Sequence, residues 1–251
     1  MEKKIKSEFT NFRDLGDAPE TNIIKGKIYR SSKPSRLTRR DISLLESLSL
    51  DTVVDFRSKE EIKEKPDYIP KGARYIHTPV FSDKDFPLIV VTKRAKFRIV
   101  TMKSNEKGLI KKDKFESYFA MIDSSAYEEI FRCMDKGETF LFHCTEGKDR
   151  TGMAAALIEL SLGRTREEAL AEYLASDRYR PNKNRDWLHG IGVPRELIDE
   201  ISYCEQVHEE LFNMALDYAE EKYGSIDRYL EQHFGITPER RLKWQKIYTK
   251  Q

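Results

Sequence analysis

The ten residues from His143 to Gly152 constrain this chain more than any other stretch, and they read His-Cys-Thr-Glu-Gly-Lys-Asp-Arg-Thr-Gly. An apolar run at 139–142 precedes them, and an alanine-rich helical pattern at 153–158 follows them. This order predicts a buried strand, a tight loop and the start of a helix. The N–H groups of such a loop and the positive end of the helix dipole favour a bound phosphate dianion. A cysteine at the base of the loop would be placed to attack that phosphate.

The individual residues of this loop suit phosphate-ester chemistry. Cys144 would have to ionise near neutral pH, although a free cysteine titrates at about 8.5. The helix N-terminus and the guanidinium of Arg150 both favour the thiolate, and Arg150 would also bind two phosphate oxygens with its planar fork. Gly147 permits a tight turn, Thr151 would donate to the sulfur, and His143 would hold the geometry of the cysteine. The residues expected to contact the phosphate are Thr145, Glu146, Gly147, Lys148, Asp149 and Arg150.

The order of elements along the chain predicts its fold class. Strand and helix patterns alternate up to the loop, and the pattern after it is helical. We expect an α/β fold with a central, mostly parallel sheet flanked by helices and a helical C-terminal part. No linker divides the chain, so residues 1–251 are expected to form a single domain. The expected strands are 28–31, 52–56, 73–80 and 139–142. Two of the expected helices are described by where they begin: one runs from the loop to residue 162, and one starts at the capping box 165–168 and is followed by a polar connector at 176–185. The other expected helices are 38–48, 59–65, 114–135, 194–222, 225–234 and 237–248.

One basic segment has two interpretations. Residues 88–112 carry many lysines and arginines with apolar residues between them. This pattern favours an amphipathic insertion near the mouth of the site, where a helical lid would exclude water and gate bulky substrates. The alternative is a solvated helix face.

Composition bears on nucleic-acid binding, membrane binding, disulfides and metal sites. The formal net charge is +2 over 251 residues, so overall charge predicts neither nucleic-acid nor membrane binding. Three cysteines form no paired framework, which fits a reducing compartment, and the histidines lack metal-ligand spacing. No apolar run follows the basic N-terminus, and none approaches transmembrane length. We expect a cytoplasmic monomer without a membrane anchor, a metal or a cofactor, and secretion is the alternative location.

The loop resembles that of the cysteine-dependent protein tyrosine phosphatase superfamily, which has the pattern His-Cys-x5-Arg-Ser/Thr. It is most similar to a bacterial branch with Cys-x-x-Gly-Lys-Asp-Arg-Thr-Gly. Residues 11–16, 29–32 and 55–57 also match that branch in order, so the resemblance covers about residues 9–177. It implies a tyrosine or dual-specificity phosphatase fold that hydrolyses phosphotyrosine through a phosphocysteine on Cys144. Phosphoserine, phosphothreonine and phosphoinositides are further substrates in the branch.

The resemblance leaves the general acid open between several aspartates. Asp149, inside the loop, is the usual candidate in the branch and is favoured here. In most of the superfamily an aspartate on a separate loop protonates the leaving group. Asp83 or Asp85 after the strand at 73–80 is its topological match, and Asp83 is favoured second after Asp149. Asp55 would reach the rim if its strand neighbours the central one, and Arg57 beside it is a supporting residue. A solvated turn is the alternative for Asp83 and Asp85.

Two charged loop residues bear on the choice of substrate. Lys148 would add a second positive charge for a multiply phosphorylated ring, or it would simply face solvent. Glu146, where the branch more often has alanine, would repel inositol phosphates or pair with Lys148. The competing functions are an inositol-phosphate-directed phosphatase, a non-catalytic phosphate-binding module, and a sulfurtransferase or arsenate reductase. Arg150 followed by Thr151, together with the matching N-terminal stretches, favours a phosphatase.

Overall fold

The structure is a computed structural model that describes residues 9–18, 20–81, 116–179 and 206–250, and also residues 189, 190, 192, 194, 195 and 198. Two expectations lie outside these residues, namely Asp83 or Asp85 as a candidate acid and the segment 88–112 as a lid. Parts of the helices expected at 114–135 and 194–222 lie outside them as well.

Five described strands form one sheet in the order β1-β2-β5-β3-β4. β1 pairs antiparallel with β2, and all the other pairs are parallel. The predicted class, a mostly parallel sheet flanked by helices, is confirmed, and each predicted strand is present with small changes at its ends. In chain order the strands are β1 Arg13–Asp14, β2 Ile28–Ser32, β3 Thr52–Asp55, β4 Arg74–His77 and β5 Phe140–Cys144.

Several of the described helices begin at capping residues that the sequence contains. Thr38, Ser58 and Thr165 each form a capping box, in which the side chain of the third helical residue bonds back to the cap. Residues 116–122 are also helical. The helices are α1 Arg39–Ser47, α2 Lys59–Glu64, α3 Glu128–Asp135, α4 Asp149–Ser161, α5 Arg166–Leu174, α6 Ser176–Tyr179, α7 Glu209–Tyr223, α8 Ile226–Phe234 and α9 Pro238–Tyr248.

The prediction of one continuous helix at 114–135 is wrong. The described part divides into the helical residues 116–122, a 3-10 turn at Ser125–Tyr127 and α3. Ser124 causes the break, because its hydroxyl accepts from the N–H of Ala126 and donates to the carbonyl of Val80 at 3.0 Å. A serine that bonds to nearby backbone in this way competes with the helical pattern. The spacing of apolar residues does not reveal such a bond between a side chain and the backbone.

Two further boundaries differ from the prediction. Residues 176–179, expected to be a polar connector, form the short helix α6. Residues 206–208 are not helical, so α7 begins at Glu209 rather than continuing from 194. Both differences lie in short stretches without a clear apolar period.

The sheet separates two hydrophobic clusters. Successive residues of a strand face opposite sides, so Val54 and Phe142 enter the larger cluster while Val53 and Leu141 enter the smaller one with Leu45 of α1. Residues 151–161 of α4 are all buried, and seven of them, including Ala154, Ala155 and Ala156, belong to the larger cluster. β5 is buried along its whole length between the two clusters.

The central position of β5 fixes where the loop lies. Ser32 at the end of β2 is opposite Cys144, and Asp55 at the end of β3 is opposite His143. Parallel strands end at the same edge of a sheet, and ligands bind at that edge. The segments that follow β2 and β3 therefore surround the loop that follows β5.

The C-terminal helix is part of the larger core. Trp244 of α9 is fully buried and stacks on Phe131 with the ring centroids 5.6 Å apart. Its indole N–H donates to Asp135 at 3.0 Å, and Thr249 forms a bridge with Ile23 near the N-terminus. None of the helices in the described ranges is long and apolar enough to cross a membrane.

Replacing Trp244 with alanine should destabilise the fold by about 3–5 kcal/mol, the usual cost of deleting a buried aromatic side chain. Urea unfolding followed by circular dichroism measures the change. Leu242→Ala is the matched control, because Leu242 lies on the same helix with 57% of its surface exposed. The control should stay within about 0.5 kcal/mol of the parent. Equal stability of the two variants would contradict the packing of α9 on the core.

Candidate active site

Cys144 ends β5 at the floor of the loop, and α4 begins five residues later at Asp149. The thiol is buried. Burial alone would raise the pKa of Cys144, but the guanidinium of Arg150, the Thr151 hydroxyl and the N–H groups of Thr151 and Lys148 lower it below its ordinary value. The loop therefore favours the nucleophilic thiolate, as the sequence predicted for these residue types.

Arg150 is held by a carboxylate that the sequence interpretation missed. Its Nη1 lies 2.8 Å from Oε2 of Glu61, and its Nη2 lies 2.9 Å from Oε1. Burial alone would raise the pKa of Glu61, but Arg150 and hydrogen bonds from Thr145 and Ser58 lower it to about 2. Glu61 is thus a carboxylate at any working pH. The ring of Phe81 covers the guanidinium at 5.8 Å from its centroid.

The Glu61 pair determines which edge of Arg150 faces a ligand. Nη1 is used by Glu61 and by the carbonyl of Phe56 at 3.3 Å. Nη2 has a second, long contact of 3.4 Å with the Thr145 hydroxyl, and Nε has no hydrogen bond to any described residue. The Nε–Nη2 edge is the one that two phosphate oxygens can occupy in bidentate fashion.

Glu61 was recognisable in the sequence only as a helix cap. It is the third residue of α2, and its Oε2 accepts the N–H of Ser58 at 2.9 Å. The Ser-x-x-Glu pattern predicts this capping box and nothing more. A signal for a role in the site was available in its position, because Glu61 lies in the first turn of the helix that follows the matched residues 55–57, at the edge of the sheet where the loop lies.

A second group of buried charges lies under Cys144. Arg57 is fully buried, with Nη2 2.8 Å from Asp55 and 2.6 Å from Asp67. The hydroxyl of Tyr75 also donates to Asp55 at 2.8 Å. Burial would raise the pKa of Asp55, but His143 and Arg57 lower it well below its usual range. The expectation that Asp55 reaches the rim is therefore wrong, because this ion pair keeps it beneath the loop.

His143 links that charge group to the loop. Its Nδ1 lies 3.1 Å from the carbonyl of Cys144, and its Nε2 lies 3.3 Å from Asp67. Burial opposes the charged imidazole, but Asp55 and Asp67 outweigh it and raise the pKa of His143. The ring is thus able to hold the backbone of the cysteine, as expected from the sequence.

The same residues form the one described group with metal-ligand geometry. Ligand atoms of Asp55, Asp67 and His143 lie within 4.8 Å of one another. The guanidinium of Arg57 already contacts both carboxylates of this group. Because a fixed cation neutralises these carboxylates, the group is better suited to supporting the loop than to binding a metal ion.

The top of the loop is held from the N-terminal side. Asn11 Nδ2 and Arg30 Nη2 each donate to the carbonyl of Gly147 at 2.7 Å. Arg30 pairs in turn with the buried carboxylate of Glu172. Gly147 has φ +66°, and a Cβ there would lie 2.3 Å from the carbonyl oxygen of Ser31. Only glycine fits this position, and two stretches that resemble the bacterial branch supply its hydrogen-bond donors.

The remaining charged residues of the loop differ in their exposure to solvent. Lys148 is largely buried, with Nζ 3.4 Å from the carbonyl of Gln206 and 3.5 Å from Oδ2 of Asp149, so it does not face solvent. Asp149 is partly exposed, and its Oδ1 accepts a hydrogen bond from Tyr118 at 2.6 Å. Glu146 is half-buried, and its carbonyl contacts Asn11 at 3.3 Å.

A buried thiol at the base of a loop that opens a helix, with a fixed arginine beside it, is the arrangement expected of a cysteine-dependent phosphatase. A sequence model of the tyrosine phosphatase family matches residues 6–250. The chain therefore belongs to the tyrosine phosphatase family, which confirms the resemblance of its loop.

Two relatives in sequence agree with this assignment. A protein of Cupriavidus necator that carries the name tyrosine-protein phosphatase is 30% identical over 231 residues, covering 88% of this chain and 80% of that protein. The triple specificity protein phosphatase PtpB of Mycobacterium tuberculosis is 29% identical over 186 residues, covering 66% of each chain. Among solved structures, P. aeruginosa TpbA aligns over 80% of this chain and 92% of its own, with 15% identity and a TM-score of 0.36.

Glu61→Gln should lower kcat/KM for an aryl phosphate by roughly 10- to 100-fold, because Arg150 loses its charged partner and its fixed orientation. Steady-state kinetics measures the effect, and circular dichroism reports whether the fold persists. Glu64→Gln on the exposed face of the same helix is the matched control and should keep the parent rate. A rate for Glu61→Gln equal to that of the control would show that the pair does not position Arg150.

Iodoacetamide should modify Cys144 with a midpoint pH below that of a free thiol, since the lowered pKa places the thiolate at lower pH. Cys133 should stay unmodified, because burial raises its pKa to about 12. Peptide mass mapping across a pH series identifies the modified residue and its midpoint.

Arg150→Met should raise the midpoint for Cys144, since it removes the main charge that stabilises the thiolate. Arg132→Met, on the exposed side of α3, is the matched control and should leave the midpoint where it is. A midpoint that does not respond to Arg150→Met would contradict this account of the thiol.

Proposed function

We propose that this chain hydrolyses phosphotyrosine, and phosphate monoesters more broadly, through a phosphocysteine formed on Cys144. The observation that carries the proposal is the pairing of a buried, acidified thiol with an arginine that Glu61 holds in place. The thiolate supplies the nucleophile, and the Nε–Nη2 edge of Arg150 and the loop N–H groups supply the donors that stabilise the transition state.

The chemistry proceeds in two displacements. The sulfur of Cys144 attacks phosphorus, and an S–P bond forms as the bond to the tyrosyl oxygen breaks. That oxygen leaves with a proton from Asp149. A water molecule then attacks phosphorus and returns a proton to Asp149. The S–P bond breaks, and its electron pair returns to Cys144, where Arg150 and Thr151 stabilise it.

Asp149 is the better-supported acid among the aspartates considered. It is partly exposed at the start of α4, beside the residue that binds the phosphate. Asp55 is buried in an ion pair with Arg57, which removes it from contact with a leaving group. Asp83 lies outside the described residues and stays the alternative in the test below.

The range of substrates is proposed from the relatives and from Lys148. The name of the mycobacterial relative specifies triple specificity, so phosphoserine and phosphothreonine are included as substrates here. Lys148 places a second cation beside Asp149, and a phosphoinositide would offer it a second phosphate. We place the chain in the cytoplasm as a single-domain monomer, in keeping with its few cysteines and undivided sequence.

The deciding experiment compares the parent with Cys144→Ser on para-nitrophenyl phosphate, phosphotyrosine, phosphoserine and phosphothreonine peptides, and a phosphoinositide panel. Cys144→Ser should lose more than about 1,000-fold in kcat, because the nucleophile acts together with the rest of the site. Cys133→Ser, at a buried cysteine of α3, is the matched control. Rapid quenching should trap a phosphoryl group on the peptide that contains Cys144. Activity that survives Cys144→Ser would refute the mechanism.

The acid is assigned by Asp149→Asn and Asp83→Ala. In the variant that lacks the acid, the rate of release of a poor leaving group should fall by about 100- to 10,000-fold. The rate for a good leaving group should fall far less, because that group needs little protonation. Phenyl phosphate and para-nitrophenyl phosphate form a suitable pair of substrates. We expect this pattern for Asp149→Asn, and its appearance only in Asp83→Ala would move the role to that residue.

A further inference from the structure

Two buried tyrosines form a hydrogen-bonded chain that ends at Asp149. The hydroxyl of Tyr118 lies 2.6 Å from Oδ1 of Asp149 and 2.6 Å from the hydroxyl of Tyr173. Tyr118 is 2% exposed and Tyr173 is fully buried. Neither tyrosine takes part in the displacements described above, and neither was singled out from the sequence.

Gly152 makes room for this chain. It lies in the first turn of α4, and a Cβ at this position would lie 2.6 Å from Cδ2 of Tyr173. Tyr173 comes from α5, which packs along α4, and Tyr118 comes from the helical residues 116–122. The glycine that ends the loop motif therefore leaves space for the ring of Tyr173 beside the first turn of α4, which begins at Asp149.

The protons in the chain have a preferred direction. Tyr118 has one hydroxyl proton, and the carboxylate of Asp149 accepts it. Tyr173 must then donate to the oxygen of Tyr118, while its own oxygen accepts the backbone N–H of His208. Burial and Asp149 raise the pKa of both phenols, so both keep their protons. The chain thus presents a donor to Oδ1 of Asp149.

We propose that Tyr118, oriented by Tyr173, is a positioning residue that fixes the Asp149 carboxyl group and directs its Oδ2 to exchange the proton with substrate and water. This proposal rests on the proposed function, because it requires Asp149 to be the acid. With Oδ1 occupied, the proton leaves from and returns to Oδ2. A hydrogen bond to the carboxylate also favours its ionised form, so the chain assists the second displacement, in which Asp149 accepts a proton.

The other groups near Asp149 define what a pH profile will report. Among the described residues, Lys148 lies 3.5 Å from Oδ2, and Arg150 and Tyr127 interact with the carboxylate through their charges. The two cations also favour the ionised acid. Removing Tyr118 leaves both of them in place, so a change in the profile can be assigned to the tyrosine.

The experiment measures kcat/KM against pH for Tyr118→Phe, with phenyl phosphate and para-nitrophenyl phosphate. Loss of the hydrogen bond should move the basic limb, where the acid loses its proton, upward by about 0.5–1 pH unit. It should also lower kcat for phenyl phosphate by about 10-fold or more, since the carboxyl group is no longer held. Tyr173→Phe should move the limb in the same direction by less.

Tyr229→Phe is the matched control. Tyr229 is fully buried, and its hydroxyl donates to the carbonyl of Ile122 at 2.8 Å, on the same helical segment as Tyr118. It should lose stability as Tyr118→Phe does but keep the parent pH profile. If Tyr118→Phe does not fold, Tyr173→Phe decides the question, since it keeps the hydrogen bond of Tyr118 and removes only its orientation.

Double variants separate this proposal from the proposed function. Tyr118→Phe added to Asp149→Asn should cause no further loss, because the tyrosine acts through the carboxyl group. An unmoved limb in both tyrosine variants, or a full additive loss in the double variant, overturns the positioning role. If Asp149→Asn leaves phenyl phosphate turnover unchanged, the positioning role also fails, while Cys144→Ser tests the phosphatase assignment independently.

Discussion

The largely enclosed ion pair between Glu61 and Arg150 is the interaction on which the rest of the site depends. A guanidinium enclosed by protein would lose much of its hydration, and a carboxylate in bidentate contact offsets that loss. The pair also fixes the plane of the guanidinium before any ligand arrives. Arg150 can then stabilise both the thiolate of Cys144 and an incoming phosphate without first being reoriented.

Two further charge groups hold the loop from opposite sides. The group centred on Arg57 supports His143 and the floor of the loop, and the group containing Arg30 and Glu172 supports the carbonyl of Gly147. The loop has no regular ladder of its own to keep its shape. The surrounding buried ions take that role: Arg30 and Asp55 lie on β2 and β3, Arg57 and Asp67 follow β3, and Glu172 comes from α5.

The sequence was sufficient for the sheet and for the strand–loop–helix segment that carries Cys144 and Arg150, because these follow from local pattern and residue type. It was insufficient where a residue has two roles or where distant segments meet. Glu61 matched a capping box, which concealed its contact with Arg150. Asp55 was considered for the rim as a third candidate, since no pattern shows that Arg57 folds back onto it. Tyr118 reaches Asp149 from 31 residues away, a distance that periodicity does not bridge.

Because Glu61 both caps α2 and binds Arg150, the position of Arg150 depends on the local stability of α2. That helix has six residues, too few to persist without external support, and Glu61 both caps it and anchors it to the loop. Fraying of α2 would therefore release Arg150 while the sheet stays folded. Heat would then disable the site at a lower temperature than it unfolds the molecule, and a bound phosphate would delay hydrogen exchange in the first turn of α2.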